Sequence, residues 1–344
     1  MFSAPSSAYW DQHPYDLRCE WGPRGVGALA PISDVVIIVD VLSFCTCVDI
    51  AVARGATVYP FGWGDEGAAD FARRIGGELV GLSHEPLRFS AAAMLTVGAG
   101  ARLVLPSPNG GALSALAGGY GYNPLPNPQG EGARPRSSIP PQGEGMRPLP
   151  SLPPQGTRPL PNPPPEGEGT RAGGWLARLA GHGRAGATTP PALAEPIASP
   201  VVPGPPPAIG GPVVFAGCLR NARAVAAAAA RAGRRVAVIP AGERWREDAH
   251  GDRSLRPAAE DLIGAGAILD RLPGHRSPEA ELAVAAFRAA RGRLPDFLLA
   301  SSSGREHAAK GTEGDVVLAA QLDVSDFAPR LVAGAYVAGA GDGY

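Results

Sequence analysis

The sequence predicts an α/β protein with a three-layer α/β/α architecture, built from two similar strand–helix halves and interrupted by a low-complexity insertion. Apolar, β-branched runs such as Val35–Val39 indicate buried strands. Helical patterns alternate with these runs, which predicts a mostly parallel sheet covered by helices on both faces. The prolines are concentrated, since 23 of 38 lie between residues 121 and 210.

The predicted elements of the first half, residues 1–118, are strands followed by small-residue loops. They are, in order, the strand 35–39, a helix that ends near Arg54, the strand 57–61, the strand 102–105 and a helix after residue 111. The second half, residues 211–344, repeats this order. Its predicted elements are the strand 213–215, the helix 221–232, the strand 235–240, the helix 262–269, the strand 297–300 and a helix that ends near Lys310.

The segment 119–210 separates the two halves and is repetitive. Gln-Gly recurs at Gln129, Gln142 and Gln155, among many prolines and glycines. Such a composition cannot bury enough apolar surface to offset the entropy lost on ordering. We therefore predict a disordered or polyproline-like passive insertion, with a ligand for SH3-type domains as the alternative.

Composition excludes several classes of protein. Lys and Arg number 31 against 32 for Asp and Glu, which argues against nucleic-acid binding. Lys310 is the only lysine and precedes Gly311, so no P-loop is present. No apolar run approaches the roughly 20 residues of a membrane span, and the amino terminus lacks a signal-peptide pattern. We expect a soluble cytoplasmic protein that acts on a small molecule, and the sequence leaves homo-oligomer formation open.

Acidic residues follow the predicted strands at the edge of the sheet where α/β proteins place their sites. Asp40 ends an otherwise apolar strand, where a carboxylate binds a cation, caps the following loop or transfers protons. Glu243 follows the strand 235–240, and Glu260 and Asp261 open a helix. Carboxylate oxygens are what Mg²⁺ prefers, so these four residues are candidate metal ligands. The alternative is structural, because acids at a helix start favour the helix dipole and Glu243 can pair with Arg244 or Arg256.

Two loops have the composition of anion-binding sites. Backbone N–H groups at a helix start form a cradle for anions, and arginine binds phosphate or carboxylate through two hydrogen bonds. The residues expected to hold substrate are Ser107, Asn109, Gly110, Ser302, Gly304 and Arg305, with Asn221 orienting a neighbouring loop. The alternative for both loops is ordinary helix capping.

Cys218 follows a predicted strand and is a candidate nucleophile. A thiolate there could attack a substrate. The alternative is that Cys218, Cys45 and Cys47 are small residues packed in the core. His84 follows the predicted strand 78–82 and could reach the site. The alternative is a structural histidine.

Six motifs in order resemble the 2-phosphosulfolactate phosphatase family, the ComB-type proteins, over about 30–118 and 211–335. They are Asp40-Val-Leu, Ser107-Pro-Asn-Gly110, Gly217-Cys-Leu-Arg-Asn221, Ala241-Gly-Glu243, Arg256-Pro-Ala-Ala-Glu-Asp261 with Gly264-Ala-Gly266, and Ser303-Gly-Arg-Glu306. The resemblance is to the set and its order, since no single motif is decisive. Ser43 departs from the pattern, because many members carry arginine there.

The resemblance implies a three-layer α/β fold and a Mg²⁺-dependent phosphoric monoester hydrolase. The family's named reaction is hydrolysis of 2-phosphosulfolactate to 3-sulfolactate and phosphate, a step of coenzyme M biosynthesis. Asp40, Glu243 or Cys218 would then supply the catalytic group.

Two other functions remain open from the residues. One is a non-catalytic α/β protein that binds small anions or nucleotides with the same glycine loops. The other is a nucleotide-dependent oxidoreductase, for which the Gly-x-Gly-x-x-Gly fingerprint is missing after the strand Val35–Val39.

Overall fold

The computed structural model describes residues 9–62, 66–81, 89–119, 211–245 and 254–339. The insertion predicted at 119–210 lies outside these ranges apart from its first residue, and so does His84. The fold is mixed α/β, with a nine-stranded, mostly parallel sheet flanked by helices, which confirms the predicted fold class. No helix among the described residues has the length and apolarity to cross a membrane.

The strands, in chain order, are β1 (Leu17–Cys19), β2 (Val35–Val39), β3 (Thr57–Phe61), β4 (Glu78–Leu79), β5 (Arg102–Pro106), β6 (Val213–Gly217), β7 (Val236–Pro240), β8 (Glu243–Arg244), β9 (Leu255–Arg256), β10 (Arg330–Val332) and β11 (Ala335–Val337). The helices are α1 (Gly22–Leu29), α2 (Phe44–Ala53), α3 (Glu66–Ile75), α4 (Ala91–Met94), α5 (Gly110–Ala117), α6 (Ala222–Ala232), α7 (Ala259–Leu269), α8 (Pro278–Ala290), α9 (Leu294–Ala300), α10 (Ser302–Ala309) and α11 (Glu313–Ala319).

The sheet has the strand order β1-β7-β2-β6-β10-β11-β3-β5-β4. The strands β1, β7, β2 and β6 pair in parallel, and so do β3, β5 and β4. The antiparallel hairpin β10–β11 joins these groups through one register pair on each side, Arg330 with Phe215 and Tyr336 with Val58. Three successive antiparallel pairings therefore separate the two parallel groups.

The strand β2 is at the centre of the core. All five of its residues are fully buried, as its uninterrupted apolar sequence predicts for a strand covered on both faces. It lies between β6 and β7, so a strand of the first half pairs with two strands of the second. The two halves thus share one sheet, and the end of β2 lies beside the ends of β6 and β7.

The predicted strand 297–300 is wrong, because these residues form the end of the helix α9. Leu294 and Leu298 are buried at a spacing of one helical turn, and proline stands in the first turn, where its missing N–H costs nothing. Periodicity cannot distinguish a short apolar run in a strand from one in a helix. Ser301–Arg305 consequently lies at a helix–helix junction and does not follow a strand.

Deletion of residues 121–205 tests whether this segment contributes to the stability of the fold. Gly119 and Gly211, which flank the undescribed stretch, line the same cavity, so a short linker can join them. We expect deletion of 121–205 to leave the melting temperature within a few degrees of the full-length value. Circular dichroism melts and size-exclusion chromatography measure this. A large loss of melting temperature or soluble yield would show that the segment packs on the core.

Candidate active site

Asp261 joins the ends of two neighbouring strands. It lies in the first turn of α7 and is buried. Its Oδ1 accepts a hydrogen bond from the Val41 N–H over 2.7 Å, and its Oδ2 accepts one from the Gly242 N–H over 2.8 Å. Val41 follows β2 and Gly242 follows β7. The Asp261 carboxylate thus holds both strand-end loops in place through charge-assisted hydrogen bonds.

Asp40 performs the same task for two helices. Its Oδ1 accepts a hydrogen bond from the Phe44 N–H at the start of α2, and its Oδ2 accepts one from the Gly110 N–H at the start of α5, over 3.0 and 2.8 Å. Ser107 provides a further side-chain hydrogen bond to Asp40. The Gly110 N–H, which the sequence predicted to bind a substrate anion, therefore donates to the protein's own carboxylate.

Gly110 is required by this close approach. A Cβ at this position would lie 2.6 Å from Phe44 Cδ1 and 2.7 Å from Asp40 Oδ2. No side chain fits there unless the carboxylate moves. Ser107 and Gly110 therefore position Asp40, a role different from the substrate binding expected from the sequence.

The carboxylates of the two glutamates at the site accept fewer hydrogen bonds from the described residues than those of Asp40 and Asp261. Glu243 is half-buried, and its Oε2 accepts a hydrogen bond from Asn109 Nδ2 over 3.0 Å. Glu260 is buried, and no described residue donates a hydrogen bond to its carboxylate. Asn109 Oδ1 is also buried without a hydrogen-bond partner among the described residues. These are oxygen atoms to which a ligand can bind.

The four carboxylates interact electrostatically. The pKa of Asp40 is raised to about 6, mainly by burial and also by the charge of Glu260. The hydrogen bonds from Gly110 and Phe44 act in the opposite direction. Burial also raises the pKa of Asp261 well above its usual value, with added repulsion from Asp40 and Glu260. The carboxylates that the sequence predicted to meet are therefore close enough to perturb one another's ionisation.

Glu243 has a strongly raised pKa. Burial raises it to about 8, and the charges of Asp40 and Glu260 add to the shift. The hydrogen bond from Asn109 and the charge of Arg256 act in the opposite direction. Without a bound cation, Glu243 therefore holds its proton at neutral pH. Groups with such perturbed pKa values concentrate at functional sites.

The donor chemistry fits a hard cation. Among the described residues, no three Asp, Glu, His or Cys side chains form a metal-ligand set by themselves. Mg²⁺ does not require one, because it usually takes one or two protein carboxylates and completes its shell with water and substrate phosphate. Glu260, whose carboxylate accepts no hydrogen bond from the described residues, and the buried Asn109 Oδ1 are donors of this kind. Magnesium thus remains a proposal for this site.

Cys218 is a poor candidate nucleophile. Its side chain is fully buried, and burial raises the pKa of its thiol to about 12, so the reactive thiolate does not form near neutral pH. Cys45 and Cys47 are also fully buried, and burial raises their thiol pKa values well above normal. Asn221 Oδ1 accepts a hydrogen bond from the Cys218 N–H, and its Nδ2 donates to the Ala216 carbonyl. Asn221 therefore shapes the loop after β6.

The loop Ser301–Arg305 does not form the expected anion cradle. The Gly304 N–H donates to Ser301 Oγ, a helix-capping bond of 3.0 Å. A Cβ on Gly304 would lie 1.9 Å from the Leu298 carbonyl, so glycine serves the packing of α10 on α9. Ser302 and Arg305 are exposed on α10. Among the described residues, no hydrogen bond or ion pair joins Ser302, Gly304 or Arg305 to the four carboxylates.

Arg256 is a site residue that the sequence analysis did not assign. It pairs with Glu243 across the two-stranded ribbon β8–β9, and its Nη2 donates to Ser303 Oγ over 3.2 Å. The sequence signal was present in the Arg256-to-Asp261 motif. The pairing of β8 with β9 was needed to place Arg256 at the site.

The Asp40–Gly110 contact can be tested by adding one methyl group. Gly110→Ala forces the new Cβ against Asp40 and Phe44, and such overpacking costs about 1–3 kcal/mol in the free energy of unfolding. Gly27→Ala is the matched control, because nothing lies within 4 Å of its Cβ in the helix α1. Urea denaturation measures both. Equal stability of the two variants would contradict the contact.

The raised pKa values predict a pH-dependent stability. Unfolded Asp and Glu titrate near 4, whereas Asp40 and Glu243 titrate near 6 and 8 in the folded protein. The folded state therefore binds more protons between about pH 4 and 8, and stability falls as the pH rises through this window. In EDTA, we expect the melting temperature to fall from pH 5 to pH 8, and Mg²⁺ to raise it more at pH 8 than at pH 5.

Glu243→Gln should make the melting temperature depend less on pH in the upper part of this window, because it removes the group that titrates near pH 8. Glu279→Gln, an exposed substitution on α8, should keep the wild-type slope. Thermal melts in EDTA and in Mg²⁺ give both comparisons. A Mg²⁺ effect that is the same at pH 5 and pH 8 would argue against a cation at the carboxylates.

Comparison with known proteins gives one family. Residues 208–334 match the model of the family described as 2-phosphosulpholactate phosphatase. This segment contains Glu243, Arg256, Glu260 and Asp261, whereas Asp40 and Asn109 come from outside it. No curated protein matches the chain in sequence. The resemblance inferred from the motifs is confirmed over residues 208–334, which carry the 2-phosphosulpholactate phosphatase family pattern.

Proposed function

We propose that this protein is a Mg²⁺-dependent phosphatase that hydrolyses a small anionic phosphomonoester, 2-phosphosulfolactate, to 3-sulfolactate and phosphate. The family match over residues 208–334 supports the reaction class and suggests the substrate. The observation that carries the proposal is the group of four carboxylates, Asp40, Glu243, Glu260 and Asp261, at the ends of β2 and β7 and the start of α7.

Mutual repulsion among these carboxylates favours a bound cation. Glu260 has carboxylate oxygens to which no described residue donates a hydrogen bond, and Asn109 Oδ1 is buried without a hydrogen-bond partner among the described residues. These two residues would hold Mg²⁺. When bound, Mg²⁺ would offset the negative charge that develops on the phosphoryl oxygens. Asp261 acts indirectly, by fixing the loops that carry Val41 and Gly242.

Glu243 has the properties of a general acid. The leaving group of an alkyl phosphate is an alkoxide, which departs slowly unless it receives a proton. Without a bound cation, Glu243 carries a proton at neutral pH, since its pKa is about 8. The Asn109 amide holds its Oε2, which fixes the direction of the carboxyl group. Glu243 would thus protonate the leaving oxygen as the phosphorus–oxygen bond breaks.

Phosphate release tests the function directly. The purified full-length protein is incubated with 2-phosphosulfolactate, 2-phospholactate and isopropyl phosphate, in Mg²⁺ and in EDTA. We expect phosphate release that EDTA abolishes and Mg²⁺ restores. Binding of these compounds without any release would favour the alternative of a non-catalytic anion-binding protein. Release that EDTA does not affect would remove the metal from the proposal.

The general acid can be identified by its dependence on the leaving group. General acid catalysis contributes about 10²- to 10⁴-fold, and only where the leaving group needs a proton. We expect Glu243→Gln to lose about this factor in kcat on alkyl phosphates, but less than about tenfold on 4-nitrophenyl phosphate, whose phenolate leaves unaided. Glu279→Gln should keep wild-type rates on both. Equal losses on the two substrates would exclude this role for Glu243.

A further inference from the structure

Arg256 lies beside the carboxylates on the same face of the ribbon β8–β9 as Glu243. The two residues are directly opposed in an antiparallel register. Opposed residues on antiparallel strands project their side chains from the same face, with Cβ atoms roughly 5 Å apart. The guanidinium group of Arg256 is therefore presented on the side from which Glu243 enters the site.

Arg256 and Glu243 do not bond each other in the described structure, although they are neighbours. Glu243 accepts its hydrogen bond from Asn109, whereas Arg256 Nη2 donates to Ser303 Oγ. Within the described part of the chain, Ser303 Oγ is the single hydrogen-bond acceptor of this guanidinium. A guanidinium has five N–H groups in a planar fork, so the described residues leave most of its donors unused.

The position of the guanidinium group is fixed from two sides. Ser303 is buried and anchors one nitrogen, and the Arg256 Cζ lies 6.0 Å from the centre of the Trp245 ring. This distance is at the outer limit of a cation–π contact. Trp245 is 52 % exposed, and Arg256 is half-buried. The guanidinium is thus oriented and still within reach of a molecule that enters from solvent.

The charges at the site create a need for such a group. A phosphoester that carries a second anionic group is repelled by the four carboxylates. Arg256 is the one cation among the charges that act most on Glu243 within the described residues. A carboxylate matches the planar guanidinium fork through two parallel hydrogen bonds, a geometry that lysine cannot supply.

We propose that Arg256 is the specificity-determining residue that binds the carboxylate adjacent to the phosphoester carbon of the substrate. This assignment rests on the proposed function, because it takes the phosphate to lie at the carboxylate cluster. Arg256 then replaces Arg305, the cation expected from the sequence, as the group that selects a doubly anionic phosphoester.

The test compares two substrates that differ only in the carboxylate, 2-phospholactate and isopropyl phosphate. Loss of a hydrogen-bonded charge pair is worth about 10- to 100-fold. We expect Arg256→Gln to lower kcat/KM for 2-phospholactate by this factor, mainly through KM, with little change for isopropyl phosphate. Arg256→Lys should show a smaller loss, because it keeps the charge without the fork. Arg305→Gln on the exposed face of α10 is the control and should behave as wild type.

Two results overturn the proposal. The first is an equal loss on both substrates, since a merely structural Arg256 would impair both alike. The second is an unchanged preference for 2-phospholactate in Arg256→Gln. If the wild-type protein hydrolyses neither compound, calorimetric binding of 2-phospholactate decides the assignment, and the proposed function fails only when 2-phosphosulfolactate is not hydrolysed either. Binding that weakens at least tenfold in Arg256→Gln supports the assignment. Equal affinity of the wild-type protein and the variant excludes it, and so does the absence of detectable binding to the wild-type protein.

Discussion

The site depends on two buried aspartates whose carboxylate oxygens all accept backbone N–H groups. Asp261 ties the loop after β2 to the loop after β7, and Asp40 ties the start of α2 to the start of α5. Charge-assisted hydrogen bonds of this kind are short and strong, and a buried carboxylate without them would be costly. The loops that carry Glu243 and Asn109 are consequently held in one geometry by protein groups alone.

The same burial creates the chemistry of the site. Asp40 and Asp261 must be buried to reach their amide partners, and burial raises their pKa values. Burial of Glu243, together with the negative charges of Asp40 and Glu260, raises its pKa to about 8. A proton, a cation or both relieve this repulsion. The structural role of the aspartates and the proposed acid–base role of Glu243 therefore have one physical origin.

Much of the core could be predicted from local patterns, whereas several site residues could not. The strands β2 and β7 were predicted because continuous apolar runs need burial on both faces, and Asp40 and Glu243 were expected at the site because they follow these strands. The run 297–300 was misassigned, since a short apolar stretch has no distinctive period. That error placed Arg305 at the site, whereas Arg256, which the sequence offered only as an ion-pair partner of Glu243, is placed there by the pairing of β8 with β9.

The sequence alone determined the α/β class, the positions of most main strands along the chain and the residue types available for a site, because apolar periodicity and residue type are local properties. The tertiary structure decided which oxygens are occupied. The Gly110 N–H belongs to Asp40 and the Val41 N–H to Asp261, across 70 and 220 positions of the chain. Hydrogen bonds over such separations follow from the packing of helices on the sheet. Only the folded chain therefore distinguishes the aspartates that build the site from the glutamates that are available to a ligand.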